Sequence, residues 1–297
     1  MIPAQLVIPV VVGPTAVGKS LVAFELALAL NGEIVVADSR QVYRRLDIAT
    51  NKPPREDRER VRYHCIDMAD PESGFNAFQY VTAATAAIGD IASRGRLPIV
   101  EGGTGLYIDA LLDGLDLGGV APRPERRAEL ARLSIDQLGE LVRSLDACAD
   151  LDFKNRRRLE RAIEVLEVSG PPLARLRTRK APPWGALRMG MHRALDPLDA
   201  RIWERCLDQL ERGLIEETRQ ALADGVAPDS QALKGTGYAD TVRHLQGEIT
   251  REQLPAAMAL SNRQLARRQL TWFRKDARVR WFDAGLDPLP AILNYLR

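Results

Sequence analysis

The apolar positions of this chain change their rhythm about a third of the way along. Over the first hundred residues they come in short continuous runs, at 6–12, 33–37 and 97–100. Runs of that length without alternation predict strands covered on both faces. Between them, residues 20–30 and 75–94 read as helices. The second has Phe78, Val81, Ile88 and Ile91 at roughly helical spacing and Gly95 as its stop. Strand and helix in alternation predict an α/β fold, a parallel sheet core flanked by helices. Ligands of such sheets sit beyond the carboxyl ends of the strands. Three strand ends then meet in one place: those leading into residues 13–20, 38–41 and 102–104.

The later rhythm is helical. Residues 113–124 (DGLDLGGVAPRP) are rich in Gly and Pro and mark a boundary, and 125–169 has helical spacing with no strand. Gly170-Pro171-Pro172 and residues 181–185 punctuate a second irregular stretch. The expected organisation is a core of 1–114 with 186–297 and a helical insertion domain at 115–185. Residues 188–195 suggest a returning strand, 262–274 a basic helix, and 280–282 a final edge strand.

Composition is that of an ordinary globular chain: 45% hydrophobic and 28% charged residues in 297. No apolar run is long enough for a membrane span. The first residues lack a basic segment and run straight into the first strand, so no signal peptide and a cytoplasmic location are expected. Cys65, Cys148 and Cys206 lie far apart without metal-type spacing and read as plain thiols. The scattered His64, His192 and His244 suggest no metal site, and His64 reads as structural.

Charge changes the picture more. The net charge of +2 hides segregation: residues 154–193 hold eleven Lys/Arg against three Glu, and 263–280 hold seven against one Asp. Two basic zones on a nearly neutral chain favour a polyanionic partner, although any single charge run is as well explained by a solvated face.

The chemistry is densest at residues 10–20, where an apolar strand runs into Gly13-Pro14-Thr15-Ala16-Val17-Gly18-Lys19-Ser20 and a helix follows at once. This is a P-loop in its required setting. Backbone N–H groups and a helix N-terminus converge on an anion, Lys19 adds a positive charge, and the Ser20 hydroxyl is placed to ligate Mg²⁺. Whether the phosphate belongs to a nucleotide stays open from the motif alone. Asp38, after a buried strand, has three roles open to it: metal ligand, general base, or cap of the next element. The Gly102-Gly103-Thr104-Gly105 turn allows close backbone approach, with the Thr104 hydroxyl as a donor. Four arginines crowd 156–161, and Arg201 can serve as a fork donor to a diphosphate. The terminal basic helix interleaves arginines with Trp272 and Phe273, which suits phosphate contact and stacking or, equally, core anchoring.

Four separated motifs, GPTAVGKS, DSRQVYRRLDIATNKP, PIVEGGTGLY and NRQLARRQLTWFR, occur in the order found in bacterial tRNA dimethylallyltransferases, and the chain resembles that family over nearly its whole length. The resemblance implies a P-loop NTPase-like core and transfer of a dimethylallyl group from dimethylallyl diphosphate to N6 of adenine 37 in tRNAs reading codons that begin with U. It implies that Gly13, Thr15, Ala16, Val17, Gly18, Lys19 and Ser20 cradle the diphosphate, with Ser20 holding Mg²⁺ as the cofactor. Asp38 becomes the base, Thr104 the residue orienting the amine, and Arg201 a donor to the leaving group. The tRNA contacts implied are Asp38, Ser39, Arg40, Gln41, Thr104, Arg127, Asn155, Arg156, Arg157, Arg158, Leu159, Arg263, Arg267 and Arg268. A monomer with no membrane association is expected. Glu101 departs from the pattern, standing where an apolar residue is usual and bringing a carboxylate to the diphosphate site; it either faces away or alters metal binding. Thr236 stands where Ile or Val is common. A related enzyme prenylating free adenine nucleotides has no need of the insertion and basic zones. The P-loop by itself would also suit a small-molecule kinase, with Arg156, Arg157 and Arg158 as a lid, or an RNA-binding protein with an idle loop.

Overall fold

The computed structural model describes residues 6–115, 120, 123–173 and 181–296. In chain order the elements are β1 (Val7–Val12), α1 (Lys19–Ala29), β2 (Gly32–Val36), α2 (Arg55–Arg60), β3 (Tyr63–His64), α3 (Ala77–Ser93), β4 (Leu97–Gly102), α4 (Gly105–Asp113), α5 (Pro124–Leu130), α6 (Ile135–Leu145), α7 (Arg156–Ser169), β5 (Gly185–His192), α8 (Leu195–Glu211), α9 (Leu214–Ala223), α10 (Tyr238–Leu245), α11 (Leu254–Phe273), β6 (Arg280–Asp283) and α12 (Leu289–Leu296). Two compact units result, Met1–Ile108 with Pro183–Arg297, and Asp109–Pro182. The division falls inside α4 rather than at the Gly/Pro-rich stretch, because composition marks a turn while packing marks a unit. Parts of that stretch (116–119 and 121–122) and of the second irregular stretch (174–180) lie outside the described residues. No described helix is long and apolar enough to cross a membrane.

The first unit is built on a six-stranded sheet in the order β3-β2-β4-β1-β5-β6, and every pairing is parallel. Strand β1 lies at the centre, with Val12 opposite Gly102 of β4 on one side and Gly190 of β5 on the other. Ile8, Val10, Val11 and Val12 are all fully buried, which is why the strand reads as a continuous apolar run. The chain leaves β1 toward β2 and β3, then returns with β4 beside β1 before β5 and β6 extend the other edge. That reversal opens a crevice at the carboxyl ends of β1, β4 and β5. The short edge strand β3 and helix α2 have no signal in the apolar pattern, whereas α12 carries one in Leu289, Ile292, Leu293 and Leu296.

Helix α3 begins at a capping box, Asn76 and Gln79 each bonding the other's backbone N–H. Its buried stripe is Tyr80, Ala84, Ile88 and Ile91, whereas Phe78 is 54% exposed. The buried face differs from the expected one at its first turn: Tyr80, not Phe78, packs inward, stacking on Tyr107 at 4.3 Å.

The second unit packs α5, α6 and α7 around Leu130, Leu138, Val142, Leu159, Ile163 and Leu166. Asn155 caps α7, its side chain accepting from the Arg158 N–H at 3.3 Å. Glu164, fully buried on α7, receives a two-point grip from Arg127 at 2.8 and 2.9 Å and the Arg123 N–H at 3.0 Å. Burial raises its pKa, but Arg127, the Arg123 amide and Arg161 outweigh that and hold it below the usual range.

At the amino-terminal end of the sheet, Glu33 on β2 is 1% exposed and ties three elements together. It accepts from Arg94, which follows α3, and meets His64 Nε2 on β3 at 2.7 Å. The Arg94 hydrogen bonds, opposed by burial and assisted by His64, hold Glu33 at about 2 against 4.5. A depressed folded-state pKa confers stability that is complete above pH 4.5 and drains as the pH falls toward 2. The contribution is on the order of 3 kcal/mol. Glu33→Gln should lower stability at pH 7 by about 2–3 kcal/mol. Urea unfolding at pH 7 and pH 3 should show that most of this loss has vanished at the lower pH.

Candidate phosphate and transfer site

The P-loop turns where backbone approaches backbone. Gly13 has φ of +148°, and a Cβ there would lie 2.6 Å from the Met191 carbonyl oxygen of β5, so only glycine fits. Ala16 takes φ of 63°, and Gly18, at φ 113°, opens α1 with no side-chain cap. The first N–H groups of α1 are thus left for an anion. Val17 is fully buried and anchors the loop from below. Lys19 Nζ donates to the Pro14 carbonyl at 2.9 Å and so folds across the loop.

Three side chains from later in the chain brace this loop. Arg201 Nε donates to the Ala16 carbonyl at 3.0 Å. Arg205, one turn on along α8, donates through Nη2 to Thr15 Oγ1 at 2.7 Å and to Asn262 Oδ1 at 2.9 Å. Thr236 gives the same Asn262 oxygen a 3.4 Å hydrogen bond, which is what the polar residue at that position does here. Gln269 of α11 accepts from the Thr15 N–H at 2.8 Å and donates to the Gly103 carbonyl at 3.0 Å. A Cβ on Gly103 would stand 2.3 Å from the Gln269 nitrogen, and one on Gly102 would stand 2.2 Å from the Ala37 carbonyl oxygen. The glycine turn is therefore pinned between α11 and the end of β2.

At that end, Asp38 Oδ1 accepts from the Arg40 N–H at 2.7 Å and the Gln41 N–H at 3.4 Å. Its second carboxylate oxygen has no hydrogen-bond donor among the described residues. Thr104 Oγ1 accepts from the Ser39 N–H at 2.9 Å and donates to Ser39 Oγ at 3.3 Å. Asp38 and Thr104 thus hang from one hydrogen-bonded frame. Glu101, the last side chain of β4 before the glycines, is 4% exposed and accepts from Ser20 Oγ at 3.1 Å. It faces the loop.

Four charges share this pocket. Burial lowers the Lys19 ammonium pKa, opposed by the nearby Glu101 and Asp38 carboxylates. Burial lowers the Arg205 guanidinium too, and its Nε is buried with no hydrogen-bond partner among the described residues. Glu101 is raised by burial, with Lys19 acting against the rise. Cations stripped of water beside open amides form a cradle for a multiply charged oxyanion. The Ser20 hydroxyl and the Glu101 carboxylate are the hard oxygen donors a magnesium ion prefers. A carboxylate oxygen left open beside a threonine hydroxyl suits proton acceptance.

The first unit thus brings together Gly13, Thr15, Ala16, Val17, Gly18, Lys19, Ser20, Asp38, Ser39, Thr104 and Arg201. Several other expected contacts have side chains engaged within the protein. Gln41 is 7% exposed, and its amide donates inward to the Thr50 carbonyl at 3.2 Å. Leu159 is fully buried in the core of the helical unit. Both side chains are turned away from solvent. Arg40 donates to the Gln231 carbonyl, Arg127 is held by Glu164, and Arg156 donates to the carbonyls of Leu130 and Leu133. Arg263 pairs with Asp199 at 3.3 Å. Arg157 and Arg158 of α7, and Arg267 and Arg268 of α11, are exposed. Arg205 and Gln269 escape sequence reasoning. A signal for Arg205 existed in its spacing of four from Arg201, which puts both on one face of a helix.

The family model for IPP transferase matches residues 41–276. The chain belongs to that family. The tRNA dimethylallyltransferase of Thermomicrobium roseum is 41% identical over 278 residues, 92% of this chain and 84% of that protein. That of Syntrophobacter fumaroxidans is 39% identical over 289 residues, 95% and 84%. Among solved structures, the tRNA isopentenylpyrophosphate transferase of Bacillus halodurans is similar with a TM-score of 0.74 and 34% identity, covering 98% of this chain and 95% of that one. A eukaryotic dimethylallyltransferase acting on tRNA gives a TM-score of 0.83 at 25% identity, covering 98% and 78%.

Because Arg205 is half-buried, with a buried Nε that has no hydrogen-bond partner among the described residues, while Arg201 is exposed, the two arginines should differ. Arg205→Ala is expected to weaken inorganic diphosphate binding by about ten- to a hundredfold in a calorimetric titration, and Arg201→Ala by less.

Proposed function

We propose that this chain transfers a dimethylallyl group from dimethylallyl diphosphate to N6 of adenine 37 in tRNAs reading codons that begin with U. The observation that carries this reading is the pairing of an anion cradle with an open carboxylate in a single pocket: P-loop amides, Lys19 and Arg205 on one side, Asp38 with Thr104 on the other. The named relatives act on tRNA, and the basic zones of this chain suit the same polyanion.

In this reaction the adenine N6 lone pair attacks the allylic C1 of the donor. The C1–O bond breaks, and its electron pair leaves with the diphosphate. Lys19, Arg205 and the first amides of α1 stabilise the charge that builds on the departing group, an interaction stronger in the transition state than before it. Asp38 takes the proton lost from N6, and Thr104 orients the amine by accepting or donating through its hydroxyl. The residues that would hold Mg²⁺ are Ser20 and Glu101, and the ion would supply further positive charge opposite the leaving group. An exocyclic amine inside an RNA stack is out of reach, so the adenine is flipped out to react. Exposed Arg157, Arg158, Arg267 and Arg268 meet phosphates, and the enzyme works as a monomer in the cytoplasm.

Incubation with labelled dimethylallyl diphosphate and either tRNA or AMP tests the reading. Label entering tRNA alone supports it, and label entering only AMP removes it. Asp38→Ala should lower transfer by about a hundredfold or more while tRNA affinity stays within a few-fold; near-normal turnover would strip Asp38 of the base role. Replacing Arg157 and Arg158 by Ser should weaken tRNA binding and reduce the slope of log affinity against log salt by about one. An unchanged slope would mean that neither arginine meets a phosphate.

A further inference from the structure

Glu101 occupies a position with a definite meaning in P-loop architecture. Strand β4 is the immediate neighbour of β1, and Glu101 stands opposite Val11, one residue before the register point at which Gly102 meets Val12. A carboxylate ending the strand beside the P-loop strand is where P-loop nucleotide enzymes hold the acid that, with the loop Ser/Thr, binds magnesium. The hydroxyl side of that pair is present: Ser20 Oγ lies 3.1 Å from Glu101 Oε1. Two oxygens bound side by side on a magnesium ion, each at about 2.1 Å, stand about 3.0 Å apart. The observed separation already has that value.

The surroundings call for a cation. The Ser20 hydroxyl is the only hydrogen-bond donor to the Glu101 carboxyl among the described residues, although the side chain is 4% exposed. A buried carboxyl with so few partners has unused acceptor capacity. Lys19 is near enough to act on it electrostatically, but its ammonium donates to the Pro14 carbonyl instead. Ser20 itself is exposed, so an ion can reach the pair from solvent. A diphosphate entering the cradle would meet a buried negative charge unless a divalent cation stood between them.

We infer that Ser20 and Glu101 form a divalent-cation site that this chain holds before any diphosphate binds. This rests on the proposed reading of the pocket as a diphosphate site. The ion is then bound by the protein, with the remaining positions filled by water until phosphate oxygens replace some of it. Glu101, where the resemblance leads one to expect an apolar residue, makes metal binding independent of the substrate.

The test is titration of the metal alone, Mn²⁺ followed by electron paramagnetic resonance, into the full chain without diphosphate. The parent should take up one ion per chain. Glu101→Gln, which keeps the shape and a hydrogen bond to Ser20, should weaken that binding tenfold or more, and added inorganic diphosphate should restore most of it. Glu101→Val should behave alike, with thermal unfolding and tRNA affinity confirming that each variant is folded. Mn²⁺ affinity within twofold of the parent in Glu101→Gln, or a parent that binds no ion without diphosphate, would overturn the inference. A parent that prenylates tRNA while Glu101→Gln binds Mn²⁺ normally loses the metal site and keeps the function. A parent that binds Mn²⁺ through Glu101 and transfers no label keeps the metal site and loses the function.

Discussion

The carboxamide of Gln269 connects parts of the chain that are 254 residues apart. It accepts from the Thr15 amide and donates to the Gly103 carbonyl, so the loop after β1 and the loop after β4 keep one separation. Neither loop could hold this geometry by itself, because both are built from residues chosen to leave space. Gly13 and Gly102 bring backbone within reach of backbone and Gly103 makes room for the Gln269 side chain, and the flexibility that permits this must be removed by something else. Helix α11 removes it, and in doing so makes the carboxy-terminal part of the chain a structural member of the P-loop.

The pocket so defined is electrostatically unfinished. Lys19 and Arg205 are half-buried and have lost part of their water, which works against their charge. Glu101 has lost water as well and is raised by it. Opposite charges at short range ease these costs without meeting the hydrogen-bonding capacity of the groups: the Nε of Arg205 has no partner among the described residues. Buried polar groups without partners are rare in folded proteins. The unpartnered Nε of Arg205, together with the uncapped amino end of α1, marks a site suited to an oxyanion that arrives from outside.

The arginines of α7 show how weakly charge counts translate into surfaces. On a helix the run at 156–158 covers more than one face, so some of its arginines are expected to point to solvent or to a polyanion. In the folded unit, Arg156 is spent on the carbonyls of Leu130 and Leu133, while Arg157 and Arg158 are turned to solvent. Arg127, from a neighbouring helix, neutralises the buried Glu164. The positive charge that these described arginines offer a polyanion is therefore smaller than their number implies.

How far the sequence alone reaches can be stated residue by residue. The strand–loop–helix of the P-loop was legible because its geometry depends on adjacent residues: apolar strand, glycines where φ is positive, and helix formers after Lys19. The central strands were legible because burial on both faces forces continuous apolar runs. Helical faces were less so, since Phe78 and Tyr80, two residues apart and on nearly opposite faces of α3, are both aromatic, and packing buries only Tyr80. What only the tertiary structure decided is which side chains share a pocket. Arg205 is one arginine among many until α8 packs its face onto Thr15, and Gln269 is a neutral amide in a basic helix until α11 reaches both loops. Glu101 could be placed beside the diphosphate site from its motif, but its direction was settled by the parallel register of β4 against β1. Pairings between residues 81 to 254 positions apart leave no local trace, because the energy that fixes them comes from packing whole elements together.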